Sequence, residues 1–454
     1  MKNLLTFPCL SKVDPKKIVL TANVLEFFDL YLYIHLAHII NQKFFPYGEP
    51  TALRMLPFIS FYLLAPLSCI LFAFIGDTRG RKPVLITTAF VMAISSFLIV
   101  FLPTYETWGV YPGYFLILLR VLQGISLGGE PTAANLYIAE LCEDEKKAPV
   151  WITLLASMEC VGGMLALGLA YIGENYLGHL SWGWRLPFIG GIGFIFFSLI
   201  VRLHLIESPE FLKETHNKPI SMFDKSRMIE FYQSLRFRNI NTISLFIFWS
   251  IYPILFVLIY TYFTPMVLEA CSLDVNSHII GHNLCLSALE MMVSLSWIPL
   301  VLWGRWSVKQ ITVIRFLLTL IFCFLFYYTL NNDPNKYLLM MLQALIIGCG
   351  DFVLIAPFLF KSFSVIGRFS YMAITRSVAQ LINFLVIAFI IDLVNKHLGL
   401  MGVLVWIITP LMLLGFIAIY FCVLHYELPS ASLRQSLKDA KPADENIVIS
   451  NYKY

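Results

Sequence analysis

Apolar residues occur in a succession of long stretches separated by short polar segments, and this pattern continues along nearly the whole 454-residue chain. A helix needs about 20 consecutive apolar residues to cross a bilayer, because nothing in the hydrocarbon satisfies a bare backbone amide. The pattern therefore predicts an all-α membrane protein with twelve transmembrane helices. They are expected near residues 18–40, 55–75, 84–102, 113–138, 150–173, 185–206, 240–268, 280–303, 311–330, 337–358, 367–394 and 400–424.

One polar segment is longer than the others and divides the chain into halves. It runs from Ile206 to Asn239, is rich in charges, contains Pro, and has six predicted spans on either side. We therefore predict an N-terminal six-helix bundle (1–206), a cytoplasmic linker (207–239), a C-terminal six-helix bundle (240–424) and a cytoplasmic tail (425–454). Two pseudo-symmetric bundles are typical of transporters whose halves rock about a central site.

Composition and charge agree with this assignment and give it an orientation. Hydrophobic residues make up 59% of the chain and charged residues 13%, against about 25% charged in soluble domains. Most of the 32 Lys and Arg residues fall in the N-terminal segment, the alternate loops and the tail. Because cytoplasmic segments carry this excess, both termini are expected in the cytoplasm of a bacterium, with a multi-pass chain in its inner (plasma) membrane.

Several classes of function lack their sequence signals. The nine Cys residues are scattered without a CxxC pair, and no HExxH, catalytic Ser/His/Asp set or phosphate-binding Gly-rich loop is present. We therefore predict no enzymatic activity, no metal or other cofactor and no nucleic-acid partner. We expect the protein to be a monomer and to be surrounded by the lipid bilayer.

Four segments of the first half carry a more specific signal. GDTRGRK (Gly76–Lys82) lies between the second and third predicted spans, and NVLEFFDLYLY (Asn23–Tyr33) lies in the first. RVLQGISLGGEPTAANLYIAE (Arg120–Glu140) fills the fourth, and WGWRLPFIGGIGF (Trp182–Phe194) followed by ESPEF (Glu207–Phe211) frames the sixth. Together they resemble the metabolite:proton symporter family of the major facilitator superfamily, which includes proline/betaine, shikimate, citrate and 2-oxoglutarate carriers.

The resemblance implies a proton-coupled secondary active symporter that imports a small polar metabolite or osmolyte by alternating access. Its partners would be a small-molecule substrate and protons. Where the family has Arg-Pro-Leu-Gly-Gly in the second helix, this chain reads Ala65-Pro66-Leu67-Ser68-Cys69. Loss of that Arg favours a zwitterion such as proline or betaine over citrate, 2-oxoglutarate or shikimate. The loop Gly304–Gln310, which matches Gly76–Lys82 in the second half, lacks the acid. A transport-inactive membrane sensor or receptor therefore stays as the alternative.

Acids at membrane depth are the candidate proton-coupling residues. Glu26 and Asp29 are three residues apart and so share one face of the first helix. A carboxylate there is costly, by at least about 2.5–3.5 kcal/mol, and normally faces a polar interior. Arg120 is the expected partner, and the resemblance implies that Asp29 exchanges the proton. Glu130 is a further candidate; for all of these the alternative is an ion pair or hydrogen bond that only orients helices.

The candidate substrate cavity is lined by Tyr33, which continues the Glu26–Asp29 face, and by Gln123, Arg376 and Gln380. Arg376 and Gln380 share a helix face at four-residue spacing. Arg376 is expected either to receive an anionic substrate group or to pair with Asp351. Other charges predicted at membrane depth in the second half are Glu290 and Asp392. The aromatic content of 15% would also allow an aromatic cage for a quaternary ammonium.

A different set of charges is predicted to form a gate at the cytoplasmic face. The resemblance implies a network that closes only in the outward-facing state. Its members are Gly76, Asp77, Gly80, Arg81 and Lys82 of the loop, with Glu140 and Glu207 from the ends of the fourth and sixth helices. A plain basic membrane anchor would explain Arg81 and Lys82 but not Asp77.

Overall fold

In the computed structural model, the described residues are 13–45, 65–142, 144, 147–177, 182–215, 239–304, 306–386 and 407–425, with 394, 396, 397, 399 and 403. This part of the chain forms twelve principal helices. They are α1 (Pro15–Phe44), α2 (Ala65–Thr78), α3 (Arg81–Phe101), α4 (Tyr111–Leu141), α5 (Lys147–Leu177), α6 (Leu186–Leu203), α7 (Asn239–Val257), α8 (Val275–Ser296), α9 (Val308–Asn332), α10 (Lys336–Gly350), α11 (Val365–Leu385) and α12 (Thr409–His425).

Shorter elements extend or connect these helices. A π-helical turn (Leu258–Phe263) and a helix (Thr264–Ala270) continue α7, and Ile298–Trp303 continues α8. The remaining short helices are Tyr105–Trp108, Gly183–Arg185, Pro209–Glu214, Val353–Ile355 and Ala356–Lys361. No β-strand occurs in the described ranges.

The predicted fold class is confirmed: each of the twelve predicted spans has its helix. Eight helical stretches of the described chain are long and apolar enough to cross a membrane. The first part of the second predicted span, most of the predicted linker and the tail beyond residue 425 lie outside the described residues. The boundaries of the four predicted domains therefore stay a prediction.

Helix pairs bury the apolar stretches within each half and between the halves. In the first six helices α1 packs on α5 and α3 on α4, and in the last six α9 packs on α10 and α7 on α11. The first half meets the second through α2 against α11 and α5 against α8. One buried core includes Phe72 and Ala134 of the first half together with Phe360 and Phe369 of the second. The two halves thus share apolar packing beside the gate residues.

Local sequence determines where α11 begins. Ile366 has an extended ψ of 122° and Gly367 a φ of +90°, so the regular helix starts only after Gly367. A positive φ is inexpensive for glycine because it has no Cβ. The kink leaves the backbone N–H groups of Phe369 and Ser370 without carbonyl partners in their own helix, and they face the end of α2.

Candidate functional site

A buried hydrogen-bond cluster surrounds Asp29 in the first half. The hydroxyl of Ser96 on α3 donates to Asp29 Oδ2 at 2.8 Å, and Gln123 Nε2 of α4 donates to the same oxygen at 2.9 Å. Arg120 Nη1 donates to Gln123 Oε1 at 2.6 Å. Gln123 therefore links the Asp29 carboxylate to the Arg120 guanidinium through its two ends.

Tyr33 completes this cluster. The Arg120 guanidinium lies 3.6 Å from the centre of the Tyr33 ring, one helical turn along α1 from Asp29. Asp29, Tyr33, Arg120 and Gln123 are each at most 3% exposed. The structure thus brings together four residues that the sequence singled out. Ser96 was missed, because an isolated Ser in an apolar span carries no signal of its own.

Glu26 contributes to a second buried cluster instead of joining Asp29. Arg202 Nη1, near the end of α6, donates to Glu26 Oε1 at 2.9 Å and to Glu130 Oε2 at 3.0 Å. A second Arg202 nitrogen, Nη2, bonds to Glu130 Oε1. Glu26 therefore pairs with Arg202, whereas the expected partnership of Arg120 concerned Asp29. Two residues three apart diverge by about 60° around a helix, which turns Glu26 toward α6 and Asp29 toward α3 and α4.

This second cluster holds two carboxylates against one guanidinium. Glu26 is 5% exposed, Glu130 3% and Arg202 0%, and the Thr88 hydroxyl adds a 2.5 Å hydrogen bond to Glu130. Arg202 escaped prediction because it looks like a loop-side basic residue at the end of a span. Its long side chain instead reaches back toward the bundle interior.

The gate residues join the two halves at the α2–α3 turn. Both Asp77 oxygens accept backbone hydrogen bonds at the kink of α11, from Phe369 N at 3.0 Å and Ser370 N at 2.9 Å. Gly76 packs directly under the Phe369 ring, where a Cβ would overlap its atoms. Asp77 therefore binds an N-terminal helix end in the other half, rather than serving only as a partner for the loop cations.

Arg81 is the centre of the accompanying ion pairs. Its Nη2 lies 2.7 Å from Glu140 Oε1 and donates at 3.0 Å to the carbonyl of Val365, while Nη1 donates to Gly76 at 2.8 Å. Glu140 also pairs with Arg368 of α11 at 3.0 Å. A single carboxylate of the first half thus holds an Arg from each half, and Arg81 itself bridges the two.

Arg368 makes a further link that the sequence did not suggest. Its Nη1 is 2.7 Å from Glu210 of the short helix Pro209–Glu214, and Lys361 lies 3.3 Å from the same carboxyl group. Lys361 follows the tenth predicted span and Arg368 lies at the start of the eleventh, and the positive-inside pattern already accounts for basic residues at both places. Their ion pairs with Glu210 depend on the position of the helix Pro209–Glu214 in the tertiary structure.

Glu207 caps α3 rather than pairing with the loop side chains. It accepts hydrogen bonds from the backbone of Arg81 at 2.9 Å and of Lys82 at 3.1 Å, the first residues of that helix. Gly80 has a φ of +104°, and a Cβ there would overlap the Glu207 carboxyl group. Burial raises the pKa of Glu207, and the backbone N–H donors offset this only in part.

In the second half, Arg376 and Asp351 do not pair. Asp351 forms an ion pair with Arg315 of α9, which also donates to the Gly348 carbonyl at 2.9 Å. Arg376 donates at 3.3 Å to the carbonyl of Leu127 on α4 and lies 5.5 Å from the centre of the Trp249 ring on α7. Pairing Arg376 with Asp351 was therefore the wrong alternative. Gln380 is half-buried one turn further along α11.

Glu290 of α8 has an environment that the sequence did not predict. Its carboxyl group, 3% exposed, accepts hydrogen bonds from the hydroxyls of Tyr260 at 2.7 Å and Tyr252 at 3.1 Å. Tyr260 lies in the π-helical turn that follows α7. Such turns occur frequently at functional sites. Asp392, the other acid predicted in this half, lies outside the described residues.

Comparison with known proteins identifies a family and several relatives. The model of the Major Facilitator Superfamily matches residues 47–389. A glycine betaine/proline/ectoine/pipecolic acid transporter of Dickeya dadantii is 34% identical over 196 residues, which is 42% of this chain and 39% of the relative. A putative proline/betaine transporter of Staphylococcus aureus is 33% identical over 252 residues, which is 52% of this chain and 53% of the relative. The chain thus spans about two fifths to one half of the length of the curated relatives it matches.

Solved structures share the fold at low sequence identity. The proton:xylose symporter XylE bound to 6-bromo-6-deoxy-D-glucose superposes with a TM-score of 0.68 at 15% identity, over 90% of this chain and 94% of that one. The transporter FucP in its outward conformation superposes with a TM-score of 0.67 at 14% identity, over 91% of this chain and 99% of that one.

Proposed function

The chain belongs to the Major Facilitator Superfamily, and on this premise we propose that it is a proton-coupled symporter that imports a small zwitterionic metabolite by alternating access. The family model matches residues 47–389, which include α2 to α6 of the first set of helices and α7 to α11 of the second. In such proteins a central site is exposed to one side and then the other as the halves rock. The proposal needs a proton carrier, a gate and a substrate site, and each has candidate residues.

The Asp29–Gln123–Arg120 chain is the observation that carries the proton-coupling proposal. An ionised Asp29 is stabilised by two hydrogen-bond donors and, through Gln123, by the nearby guanidinium. When Asp29 takes up a proton, the bond from Gln123 loses its charge assistance, and Arg120 is freed to stabilise another anion. Proton binding and the arrangement of Arg120 are thereby coupled. Arg120 keeps its charge throughout, because guanidinium does not deprotonate in proteins.

Alternating access is supported by the contacts at the gate. Asp77, Arg81 and Glu140 of the first half all bind residues of α11 or the turn before it. These contacts must break if the halves separate at that end, so they bias the equilibrium between two states. We place this end at the cytoplasmic face from the distribution of Lys and Arg. The described state is then closed to the cytoplasm.

The substrate class follows from the relatives and from the missing second-helix Arg. The relatives at 32–36% identity carry names for proline and betaine transport, and these compounds are zwitterions. A zwitterion needs one cationic and one anionic partner, whereas citrate, 2-oxoglutarate or shikimate would need basic groups alone. We therefore favour a zwitterion over an organic acid.

Uptake into proteoliposomes tests this function. Purified full-length protein would be given an inward proton gradient with labelled proline, glycine betaine or citrate outside. Accumulation of a zwitterion that collapses when a protonophore is added supports symport. Exchange without accumulation would remove proton coupling. If no solute enters by either assay, the sensor or receptor alternative takes its place.

A further inference from the structure

Two charged side chains of the second half lie between the bundles, and neither forms an ion pair with an oppositely charged side chain among the described residues. Glu290 is buried, and it forms no ion pair with a basic side chain anywhere in the described ranges. Arg376 is half-buried and likewise forms no ion pair with any described acid. Removing an ion from water costs several kcal/mol unless it is paired. Each group is therefore poised to receive an opposite charge from elsewhere.

Both groups contact one face of α7 and of the π-helical turn that continues it. Trp249, Tyr252, Phe256 and Tyr260 follow one another at spacings of three and four residues and so form one stripe. Arg376 lies against the Trp249 ring, and Glu290 is bonded to Tyr252 and Tyr260. Trp249 and Tyr252 are about 4.5 Å apart along a helix axis. Arg376 and Glu290 thus contact one aromatic stripe at positions that are close to each other along the helix axis.

The stripe is positioned at the boundary between the halves. The Phe256 ring centre lies 6.0 Å from that of Tyr31 on α1, and Arg376 donates to the Leu127 carbonyl on α4. Glu159 of α5 lies within electrostatic range of both groups: it attracts Arg376, although the two form no ion pair, and it repels Glu290. Substrate sites of two-bundle transporters lie at this boundary.

The aromatic rings beside Glu290 favour one kind of cation. Phe256 and Tyr260 stack with ring centres 4.6 Å apart, and Tyr252 and Phe256 are 6.2 Å apart. Ring faces attract quaternary ammonium groups, which have no N–H to donate. The two phenol hydroxyls meanwhile hold the carboxylate in place. Rings and carboxylate together suit a methylated ammonium better than a primary amine.

We propose that Glu290 and Arg376 bind the two ends of one zwitterionic substrate. The ammonium lies against Glu290 and the rings of Tyr252, Phe256 and Tyr260, and the carboxylate lies on Arg376 beside Trp249. This inference rests on the proposed import of a zwitterion and names the residues that select it. A dicarboxylate would place a negative group against Glu290, and the site therefore discriminates against organic acids.

Equilibrium binding to the full chain in lipid nanodiscs at fixed pH tests the two contacts separately. Three probes are matched in shape: glycine betaine, 3,3-dimethylbutanoate, which replaces the ammonium by carbon, and choline, which lacks the carboxylate. Wild type should prefer glycine betaine over both. Glu290→Gln should lower betaine affinity about ten- to hundredfold, because the quaternary ammonium loses the electrostatic attraction of a buried carboxylate, and leave 3,3-dimethylbutanoate unchanged.

Arg376→Gln should do the converse, weakening glycine betaine and leaving choline unchanged. Glu269→Gln, at an exposed acid of the same half, serves as the control and should bind as wild type. If Glu290→Gln gives poorly folded protein, Phe256→Leu is the second variant. It keeps the carboxylate but removes a ring face, and should weaken betaine and choline severalfold without affecting 3,3-dimethylbutanoate.

The outcomes separate this site from the proposed transport function. Equal loss of all three probes in Glu290→Gln, or no loss of any, overturns the site. So does wild type that fails to prefer glycine betaine over its carbon isostere. If Glu290→Gln binds normally and exchanges solute but cannot accumulate it, Glu290 carries a proton instead. If wild type shows the selectivity but proteoliposomes show no proton-driven uptake, symport falls and the binding site stands.

Discussion

The Asp77 carboxylate at the end of α2 accepts hydrogen bonds from Phe369 N and Ser370 N at the kink of α11, at 3.0 and 2.9 Å. An anion at a helix N-terminus is stabilised both by the unsatisfied N–H groups and by the helix dipole. Because the two residues belong to different halves, this contact contributes only while the gate is closed. The Asp77 carboxylate therefore stabilises the closed conformation relative to the open one.

Asp77→Asn should therefore weaken the closed gate. Losing the charge is expected to cost about 1 kcal/mol, which changes the ratio of the two states about fivefold. Turnover in proteoliposomes should slow while binding affinity changes little. Asp333→Asn, at an exposed position beyond α9, is the matched control. A variant with normal turnover and reduced affinity would contradict a gating role.

Gly76→Ala should disturb the same contact by volume rather than charge. The added methyl group would overlap the Phe369 ring, so α2 and α11 must move apart. The expected result is slower turnover, with a thiol placed at Ser370 becoming more reactive toward a water-soluble reagent. The double variant Gly76→Ala/Phe369→Leu, in which a smaller side chain replaces the ring, should recover much of the activity. Absence of rescue would indicate that Gly76 is needed for another reason.

Asp29→Asn should separate transport from proton coupling. The amide keeps the size and most hydrogen bonds of the buried side chain but cannot exchange a proton. We expect uphill accumulation under a pH gradient to be abolished while solute counterflow across preloaded liposomes persists. Glu106→Gln, an exposed acid in the short helix after α3, should accumulate normally. Undiminished accumulation by Asp29→Asn would exclude this residue as the carrier.

Arg202→Met should destabilise the protein strongly. It would leave Glu26 and Glu130 buried together with no cation between them, and breaking a buried pair in this way costs about 3–5 kcal/mol. Glu26→Gln should cost less, because Arg202 still pairs with Glu130. Thermal unfolding in detergent would measure both, with the exposed Arg79→Met as control. Equal midpoints for Arg202→Met and Arg79→Met would show that the cluster adds no stability.

Glu207 should make stability depend on pH in a defined direction. Burial raises the pKa of its folded state above the ordinary value of 4.5, so the folded state holds the proton more tightly than the unfolded state. This stabilisation is fully present below about pH 4.5 and is lost as pH rises through the folded pKa. Glu207→Gln cannot titrate, and its unfolding midpoint should fall less than that of wild type over this range.

The comparison variant for this pH series is Glu214→Gln, at an exposed acid in the same segment. It should keep the pH dependence of wild type, because it leaves Glu207 and its backbone donors unchanged. A Glu207→Gln profile parallel to that of wild type would show that other groups determine the slope.

The number and approximate limits of the helices could be predicted, because a bilayer requires long apolar stretches whatever their packing. The loop Gly76–Lys82 could likewise be predicted as a junction, since Gly80 needs a positive φ there. Asp29 and Arg120 stood out for a similar reason. A charge in an apolar span is energetically costly, so its presence indicates a candidate functional residue.

Only the tertiary structure decided which charges meet. Arg202 joins Glu26 and Glu130 from more than seventy residues away, and Arg315 rather than Arg376 takes Asp351. Burial and spacing are local properties of the sequence, whereas pairing depends on how neighbouring helices are rotated and how far long side chains reach. By itself the sequence determined a polytopic membrane protein with acids at membrane depth. Helix packing decided that Glu290 and Arg376 would face the boundary between the halves without an ion pair to any residue of the described ranges.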